Sequence, residues 1–353
     1  MGSKDRKIVS ELVYNYYRLG HSAIQVDIDH KLLAGLYLCN KSSNELLAFF
    51  KSDWNNTIQL SLADKWAFIK QEGLEMEPGA IFPWQDALSS AVDKELFNKS
   101  HLQQPDLFLR IRPKQEKNTI KKLMEAAIPY ERLGDSCIQL ANSTKIDQVL
   151  KIDEEVVIQD YNSQRVGDFF KGMPNNEKPT VWDCCAGSGG KSIMAYDTNS
   201  ACKLTVTDAR VSILQNLRNR LLRAGISDYR SSVVDLSVAK VNLTGMFDLV
   251  IADVPCSGSG TWSRTPEQLY FFDPQKIKYY SDLQKKIVAN VINSIKPSGL
   301  MVYITCSVFK EENEEIVKYI QDNFDLRLES AELLKGYEIR ADSMFVSVFK
   351  SVT

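Results

Sequence analysis

Two cysteines each follow an apolar run that is typical of a buried β-strand. Cys256 comes shortly after the run FDLVIAD, and Cys306 comes directly after GLMVYIT. A third such run, PTVWD, leads into the glycine-rich turn CCAGSGGKS. Because the carboxyl ends of parallel strands line the ligand crevice of an open α/β sheet, we expect the turn and both thiols to meet at one site. A thiolate is a strong nucleophile, so the pattern indicates covalent chemistry beside a bound cofactor.

The glycine-rich turn matches neither of two common phosphate-binding patterns. A P-loop requires a glycine where Cys185 stands, and the pattern GxGxxG fails because Gly190 follows Gly189 directly. The sequence instead indicates a turn at a helix N-terminus, where a ligand can approach the backbone closely. It therefore predicts a cofactor loop without identifying the cofactor.

Three acidic residues stand at the ends of strand-like runs. Asp208 ends LTVTD, about twenty residues after the turn, where an acid can bind the two hydroxyl groups of a ribose. Asp235 ends SSVVD, and Asp253 ends FDLVIAD. One aspartate at a strand end is often only a helix cap, but three in succession suit a nucleoside with a cationic amino-acid tail. The residues alone do not select S-adenosylmethionine over a dinucleotide.

The positions of the histidines exclude several kinds of catalytic site. His21, His30 and His101 all precede the glycine-rich turn, so a catalytic domain that begins near residue 176 contains no histidine. Ser-His-Asp triads, Cys-His dyads and histidine-based zinc sites are therefore excluded from that domain. The seven cysteines are odd in number and include no CxxC pair, which argues against a disulfide framework or a zinc ribbon. We expect no bound metal.

Composition and charge are those of an ordinary globular protein. The 353 residues are 44% hydrophobic and 25% charged, with a formal net charge of −2. This charge weighs against a broadly basic nucleic-acid binder, although a local basic face can serve the same purpose. The polar N-terminus MGSKDRK lacks the apolar region of a signal peptide, and no 18-residue apolar run occurs. We therefore expect a reduced, cytoplasmic protein with no membrane partner; its oligomeric state is not readable.

The periodicity of apolar residues changes twice along the chain. Residues 1–104 show three-to-four spacing, which predicts a helical N-terminal domain. Residues 105–175 combine short alternating runs with one amphipathic helix, which predicts a small α+β domain. In residues 176–353 strands alternate with helices, which predicts an α/β domain built on a mainly parallel sheet.

The predicted α+β domain carries a cluster of basic residues with two open interpretations. A solvated charged face is the more common explanation of such a run. A patch that contacts phosphates is the functional alternative. The cluster consists of Arg110, Arg112, Lys114, Lys117, Lys121 and Lys122.

Five segments resemble a known family, the RsmB/Sun family of RNA cytosine-5 methyltransferases. The segments are DCCAGSGGKS (183–192), TDAR (207–210), ADVPCSGSGTWSRTPE (252–267), YITCSVFKEENE (303–314) and IQDYNSQRV (158–166). The Pro-Cys and Thr-Cys motifs together are highly specific, and the resemblance covers residues 105–353. Residues 1–104 resemble, more weakly, a shortened NusB-like domain. The implied fold is a Rossmann-like methyltransferase domain, preceded by an RNA-binding α+β domain and a helical domain.

The resemblance implies S-adenosylmethionine as the cofactor. Asp208 would bind the ribose, Asp235 would lie near the adenine, and Asp253 would lie near the methionine end. The chain departs from the family at Gly187-Ser188, where Ala-Pro is usual, and we expect altered loop rigidity rather than lost binding. The loop that wraps the cofactor would consist of Cys185, Ala186, Gly187, Ser188, Gly189, Gly190 and Lys191.

The resemblance also implies the roles of the thiols. Cys306 would attack carbon 6 of cytosine, and Cys256 would assist product release. Asp253 and Lys191 would stabilise charge on the ring. The target base should be single-stranded or flipped out, because stacking shields it in a duplex.

Residues beside the Pro-Cys motif are candidates for contact with RNA. Arg264 could hold a phosphate. Trp262 or Tyr270 could stack on a base, although a role in the core is the more common one for either aromatic side chain.

Small-subunit ribosomal RNA is the expected substrate, and transfer RNA is an alternative. A non-catalytic RNA-binding assembly factor is a second alternative, against which the intact cysteine pair argues. An amino-group methyltransferase would carry Asn/Asp-Pro-Pro-Tyr, with an aromatic residue where Cys256 stands. A nicotinamide dehydrogenase would leave the thiol pair unexplained.

Overall fold

The computed structural model describes residues 2–23, 25–173, 178–238 and 245–352. The described chain forms two compact units. The first unit consists of Met1–Pro105, Thr261–Pro274 and Tyr337–Arg340, and the second consists of Asp106–Gly260, Gln275–Gly336 and Ala341–Thr353. The predicted boundary between residues 175 and 176 lies outside the described residues, and the three-domain division stays a prediction.

The bounds of the regular elements follow, in chain order. The helices are α1 (Ser3–Arg18), α2 (Ile28–Cys39), α3 (Glu45–Phe50), α4 (Ser52–Asn56), α5 (Leu62–Gln71), α6 (Lys94–Ser100), α7 (Glu116–Glu125), α8 (Tyr161–Arg165), α9 (Gly190–Thr198), α10 (Val211–Arg223), α11 (Pro266–Phe271), α12 (Gln275–Val291) and α13 (Glu314–Asn323). The strands are β1 (Leu107–Ile111), β2 (Glu131–Leu133), β3 (Cys137–Leu140), β4 (Val156–Ile158), β5 (Thr180–Asp183), β6 (Lys203–Asp208), β7 (Tyr229–Val233), β8 (Phe247–Asp253), β9 (Ile295–Thr305), β10 (Leu326–Leu334) and β11 (Met344–Ser351).

The first unit is helical, as the spacing of its apolar residues predicts. Its interior holds large aromatic side chains, including Trp54, Phe82 and Trp262, each at most 1% exposed. Trp262 comes from the segment that follows the Cys256 loop, and its ring packs 4.6 Å from Phe272 and 5.7 Å from Phe82, measured between centroids. The structure therefore gives Trp262 a role in the core and does not support its alternative as a base-stacking platform.

A seven-stranded sheet forms the centre of the second unit, with the order β10-β11-β9-β8-β5-β6-β7. Strands β5 to β9 pair in parallel, and β11 and β10 add antiparallel pairs at one edge. From β5 the chain passes outward to β6 and β7, then returns to place β8 on the other side of β5. Ligands bind at such a reversal of strand order, beyond the carboxyl ends of the strands. This topology confirms the predicted Rossmann-like α/β fold.

Burial explains why these strands read as continuous apolar runs. Strand β8 is buried from Phe247 to Ala252, as expected of a parallel strand that is covered on both faces. Helix α10 buries Leu214, Leu217 and Leu221 along one face, which matches the helical period.

A second, four-stranded sheet lies in the same unit, with the order β2-β3-β1-β4. Its described strand pairs are antiparallel. Its core includes Leu109 of β1, Leu123 of α7 and Ile138 of β3. This sheet has the small α+β character that the sequence predicts for residues 105–175.

Three of the basic residues in this region are paired with buried acids. The side chains of Arg110 and Arg112 are 8% and 10% exposed, and both bond the carboxylate of Asp197 in α9 at 2.7 Å. Lys122 bonds the buried Glu155 at 2.7 Å. The two arginines connect β1 and the residue after it to helix α9, and Lys122 connects α7 to Glu155. A phosphate-contacting role is therefore not supported for these three residues.

No helix among the described residues is both long enough and apolar enough to cross a membrane.

Candidate active site

The cofactor loop connects the end of β5 to the start of α9. Gly187 and Gly189 adopt left-handed backbone conformations, with φ of +53° and +87°, which glycine adopts without strain. The Ala186 amide donates to the Thr207 carbonyl at 2.9 Å, and the Gly189 amide donates to Ala186 at 2.9 Å. A Cβ placed on Gly187 or Gly190 would meet nothing within 4 Å. At Gly187 and Gly190 the loop therefore faces open space, and its backbone there is accessible to a ligand.

Asp208 lies at the end of β6 and fastens this loop to the sheet. Its carboxylate accepts the Gly187 amide at 2.9 Å, and it also accepts the backbone amide and the Nε of Arg210, each at 2.9 Å. Burial acts to raise the pKa of Asp208, but the bonds from Arg210 and Gly187 outweigh it and hold the pKa below its ordinary value. The sequence thus predicts an acid beside the loop, and in the structure this acid accepts a hydrogen bond from the loop backbone.

Asp183, at the end of β5, is a site residue that the sequence analysis did not single out. It is fully buried, and the Ser192 hydroxyl donates to its Oδ2 at 2.6 Å. Its Oδ1 has no hydrogen-bond partner within the described part of the chain. Burial raises the pKa of Asp183 to about 7, against the effect of the Ser192 bond. The available signal was its position as the first residue of the motif DCCAGSGGKS.

Together these residues fit an adenosyl cofactor. The left-handed glycines carry no side chain that would keep a ligand from the loop backbone, and Asp208 supplies a carboxylate for ribose hydroxyls. The Oδ1 of Asp183 is a buried acceptor without a partner among the described residues. Asp235 is different. It is exposed, lies two residues beyond the end of β7, and caps a turn by accepting the amide and hydroxyl of Ser237 at 2.8 and 2.6 Å. Its role near the adenine stays a prediction.

A buried lysine lies between the cofactor loop and the thiol site. The Nζ of Lys191 lies 3.3 Å from Oδ2 of Asp253 and donates to the Ser163 hydroxyl at 2.6 Å. The side chain of Asp253 is 30% exposed, so one face of this ion pair is open. Ser163 belongs to the segment IQDYNSQRV, whose contact with Lys191 the sequence analysis did not identify. The structure thus joins the predicted Lys191 and Asp253 in one charged group.

The two cysteines meet beyond the ends of adjacent strands. Asp253 of β8 pairs in register with Ile304 of β9, and the loops beyond bring the Sγ atoms of Cys256 and Cys306 to 3.2 Å. Both thiols are free and partly exposed. The hydrogen bond with Cys306, together with burial, raises the pKa of Cys256 well above its ordinary value. The Cys256 thiol therefore stays protonated at neutral pH, and its S–H can donate to the sulfur of Cys306.

Glu312 fixes both thiol loops and was missed by the sequence analysis. It is fully buried, and burial raises its pKa. Its Oε2 accepts the Ser257 amide at 2.8 Å and the Gln284 amide group at 3.1 Å, and its Oε1 accepts the Ser307 hydroxyl at 2.8 Å. Ser257 and Ser307 each follow one of the cysteines. One buried carboxylate therefore connects the two loops that carry the thiols.

After Cys306, a 3₁₀ turn occupies Lys310–Glu312, and α13 starts at Glu314. Within the described residues, no group of three or more histidine, cysteine, aspartate or glutamate side chains could hold a metal ion.

Comparisons with known proteins place these motifs in a family. The family model described as "16S rRNA methyltransferase RsmB/F" matches residues 170–348. A probable ribosomal RNA small subunit methyltransferase B from Bacillus subtilis is 26% identical over 252 residues, which are 69% of this chain and 55% of that protein. A ribosomal RNA small subunit methyltransferase F from Pectobacterium carotovorum is 26% identical over 151 residues, 42% of this chain and 31% of that protein.

Similarity of fold extends over nearly the whole chain. The crystal structure of PH0851 superposes with a TM-score of 0.74 at 16% identity, covering 99% of this chain and 91% of that one. The sequence matches, in contrast, span only about a third to a half of the two relatives' lengths. The family match supports S-adenosylmethionine as the cofactor, as predicted.

Proposed function

The chain belongs to the 16S rRNA methyltransferase RsmB/F family, and from that membership we propose that it methylates carbon 5 of a cytosine in RNA. In this proposal Cys306 forms a transient bond to carbon 6 of the base. The observation that carries the proposal is the 3.2 Å approach of Cys256 and Cys306 at the end of β8 and β9, beside Asp253 and Lys191. A single buried cysteine would indicate packing, whereas a pair of partly exposed thiols beside a cofactor loop suits covalent chemistry.

The first step makes carbon 5 nucleophilic. The Cys306 thiolate donates an electron pair to carbon 6, and the electrons of the carbon 5–carbon 6 double bond move into the ring. Carbon 5 can then accept a methyl group, which is what S-adenosylmethionine supplies when it is bound. The loop Cys185–Lys191, with Asp208, would hold that cofactor, and Asp235 would lie near its adenine.

Lys191 and Asp253 would stabilise the charge that develops on the cytosine ring. The Lys191 ammonium is buried and already paired with Asp253, so it is oriented before the substrate arrives. A fixed positive charge in a partly desolvated site stabilises a developing anion without reorganisation. Asp253 is the more exposed partner and can accept a hydrogen bond from the 4-amino group of cytosine.

Cys256 would serve the release of the product. The carbon-5 proton leaves to solvent, its electrons re-form the double bond, and the bond between carbon 6 and the Cys306 sulfur breaks. A protonated Cys256 donates a hydrogen bond to the departing sulfur and so stabilises the thiolate that is released. The raised pKa of Cys256 keeps this thiol protonated at neutral pH.

The substrate that we propose is small-subunit ribosomal RNA, acted on in the cytoplasm. This follows the names of the relatives that share the catalytic segment, and transfer RNA is the alternative. The target cytosine must be unpaired or flipped out, because the thiol has to reach carbon 6 from one face of the ring.

Transfer of label from tritiated S-adenosylmethionine tests the proposal. Wild-type protein should label small-subunit ribosomal RNA, and digestion should recover the label as 5-methylcytosine. Cys306→Ser should abolish labelling while Cys39→Ser, a cysteine of the first unit, should not. Label recovered on another atom or base would refute methylation at carbon 5 of cytosine. Label on transfer RNA alone would show that transfer RNA, and not ribosomal RNA, is the substrate.

A further inference from the structure

The outermost residue of the cofactor loop is held from outside the loop by an arginine. Ser188 is exposed and stands between the two left-handed glycines. The Nη1 of Arg220, in helix α10, donates to the Ser188 carbonyl at 3.1 Å and to the Ser188 hydroxyl at 2.9 Å. Both polar groups of the loop tip are thus bonded to one guanidinium.

Arg220 is itself held in place by a buried acid. Its Nε and Nη2 donate to Oδ1 of Asp153 at 3.0 and 2.8 Å, and Asp153 is 1% exposed. The second carboxylate oxygen of Asp153 accepts from Arg223 at 2.7 Å. The carbonyl of Asp153 accepts from Arg112, the residue that follows β1, at 3.0 Å. The Arg220 guanidinium therefore makes four hydrogen bonds, two to Asp153 and two to Ser188, and its side chain is only 18% exposed.

We propose that Arg220, braced by Asp153, is a positioning residue that holds the cofactor loop in its binding conformation and thereby raises affinity for S-adenosylmethionine. This inference rests on the assignment of residues 185–191 as the cofactor loop. Gly187 has no neighbour within 4 Å of a Cβ position, so no side-chain packing restrains the loop there. A loop with two left-handed glycines loses much conformational entropy when it closes on a ligand. A bond made before binding reduces that cost.

The arrangement also ties cofactor affinity to the four-stranded sheet. Asp153 precedes β4, and its carbonyl is bound by Arg112 from the region that ends β1. A shift of this sheet relative to α10 would move Arg220 and release Ser188. The cofactor loop is thus connected to the sheet through two residues, Arg220 and Asp153.

Arg220→Gln with Arg223→Gln as its matched control tests the inference. Both arginines bind Asp153, but only Arg220 binds Ser188. Titration calorimetry with S-adenosylhomocysteine should show about tenfold weaker binding for Arg220→Gln, the cost of one charged hydrogen-bond pair. Arg223→Gln should bind as wild type does. In methyl transfer, Arg220→Gln should raise KM for S-adenosylmethionine and leave kcat at saturating cofactor unchanged.

Hydrogen exchange and a third variant separate the possible failures. Amides 187–189 should exchange faster in Arg220→Gln than in Arg223→Gln. Equally weakened cofactor binding in both variants would show that Arg220 acts only through its bonds to Asp153, which contradicts the inference. Unchanged affinity in Arg220→Gln would also overturn it. Asp208→Asn tests the assignment of the cofactor loop. Wild-type affinity in this variant would refute that assignment. Weakened binding in Asp208→Asn, together with wild-type binding in Arg220→Gln, would refute only the role of Arg220.

Discussion

The Glu312 carboxylate accepts a hydrogen bond of 2.8 Å from the backbone amide of Ser257, 55 residues earlier in the chain. Because Ser257 follows Cys256 and the same carboxylate binds Ser307, the distance between the two thiols depends on this one buried side chain. The arrangement of the two sulfurs is thus supported by a residue that makes no described hydrogen bond to either of them.

Replacement of Glu312 should affect both stability and methyl transfer. Glu312→Ala removes the acceptor of three donors, the Ser257 amide, the Gln284 amide group and the Ser307 hydroxyl. We expect the free energy of unfolding to fall by about 2–4 kcal/mol, as for buried donors left unsatisfied. Glu312→Gln preserves the shape and should be less damaging. Urea unfolding and label transfer measure the two effects. The neighbouring Glu311→Ala changes the charge equally and should cost under about 0.5 kcal/mol; equal losses would contradict the role of Glu312.

The two cysteines should give opposite results on a denaturing gel. Cys256→Ala, incubated with RNA and S-adenosylmethionine, should accumulate a covalent adduct, because the departing Cys306 sulfur lacks its hydrogen-bond donor. Cys306→Ala should form no adduct, since the nucleophile is absent. Loss of the adduct in the double variant is the control. An adduct in Cys306→Ala but none in Cys256→Ala would reverse the two roles.

Stability should depend strongly on Asp197, because Arg110 and Arg112 lose their shared partner when it is replaced. All three side chains are at most 10% exposed. We expect Asp197→Ala to lower the free energy of unfolding by about 3–5 kcal/mol, as when one member of a buried ion pair is removed. The exposed pair of Lys318 and Asp322 provides the comparison, and Asp322→Ala should cost about 0–1 kcal/mol. Similar costs in urea unfolding would show that the buried pairs contribute little.

The pH dependence of stability should reveal the burial of Asp183. Its pKa is about 7 in the folded protein and 3.8 ordinarily. Between these values the folded protein keeps a proton that the unfolded chain has released, so the contribution of this group falls as pH rises from about 4 to about 7. Asp183→Asn cannot titrate and should lose less stability across this window than wild type. Parallel stability profiles for the two proteins, measured by urea unfolding at successive pH values, would contradict the raised pKa.

The positions of strand ends could be read from the sequence because they depend on local patterns. Apolar runs such as FDLVIAD and GLMVYIT correspond to β8 and β9, and the motif residues that follow them do meet at one edge of the sheet. The alternation of strands and helices predicts the parallel order at the centre of the sheet for the same reason. Asp235 fits less well, because β7 ends at Val233, two residues before it.

The partners of charged and polar side chains could not be read in this way. The basic run in residues 110–122 has the same letters whether it faces solvent or a buried acid, and only packing against α9 pairs its arginines with Asp197. Ser163 reaches Lys191 across 28 positions in the chain, and Arg220 reaches Ser188 across 32.

By itself, the chain's residue order determined the class of fold, the family and the pair of thiols, since these are written in periodicity and in short motifs. The tertiary structure alone decided which carboxylates hold the loops together and which cations pair with buried acids. A directed hydrogen bond requires two groups to lie within about 3 Å, and for groups far apart in sequence that distance is set by strand register and helix packing.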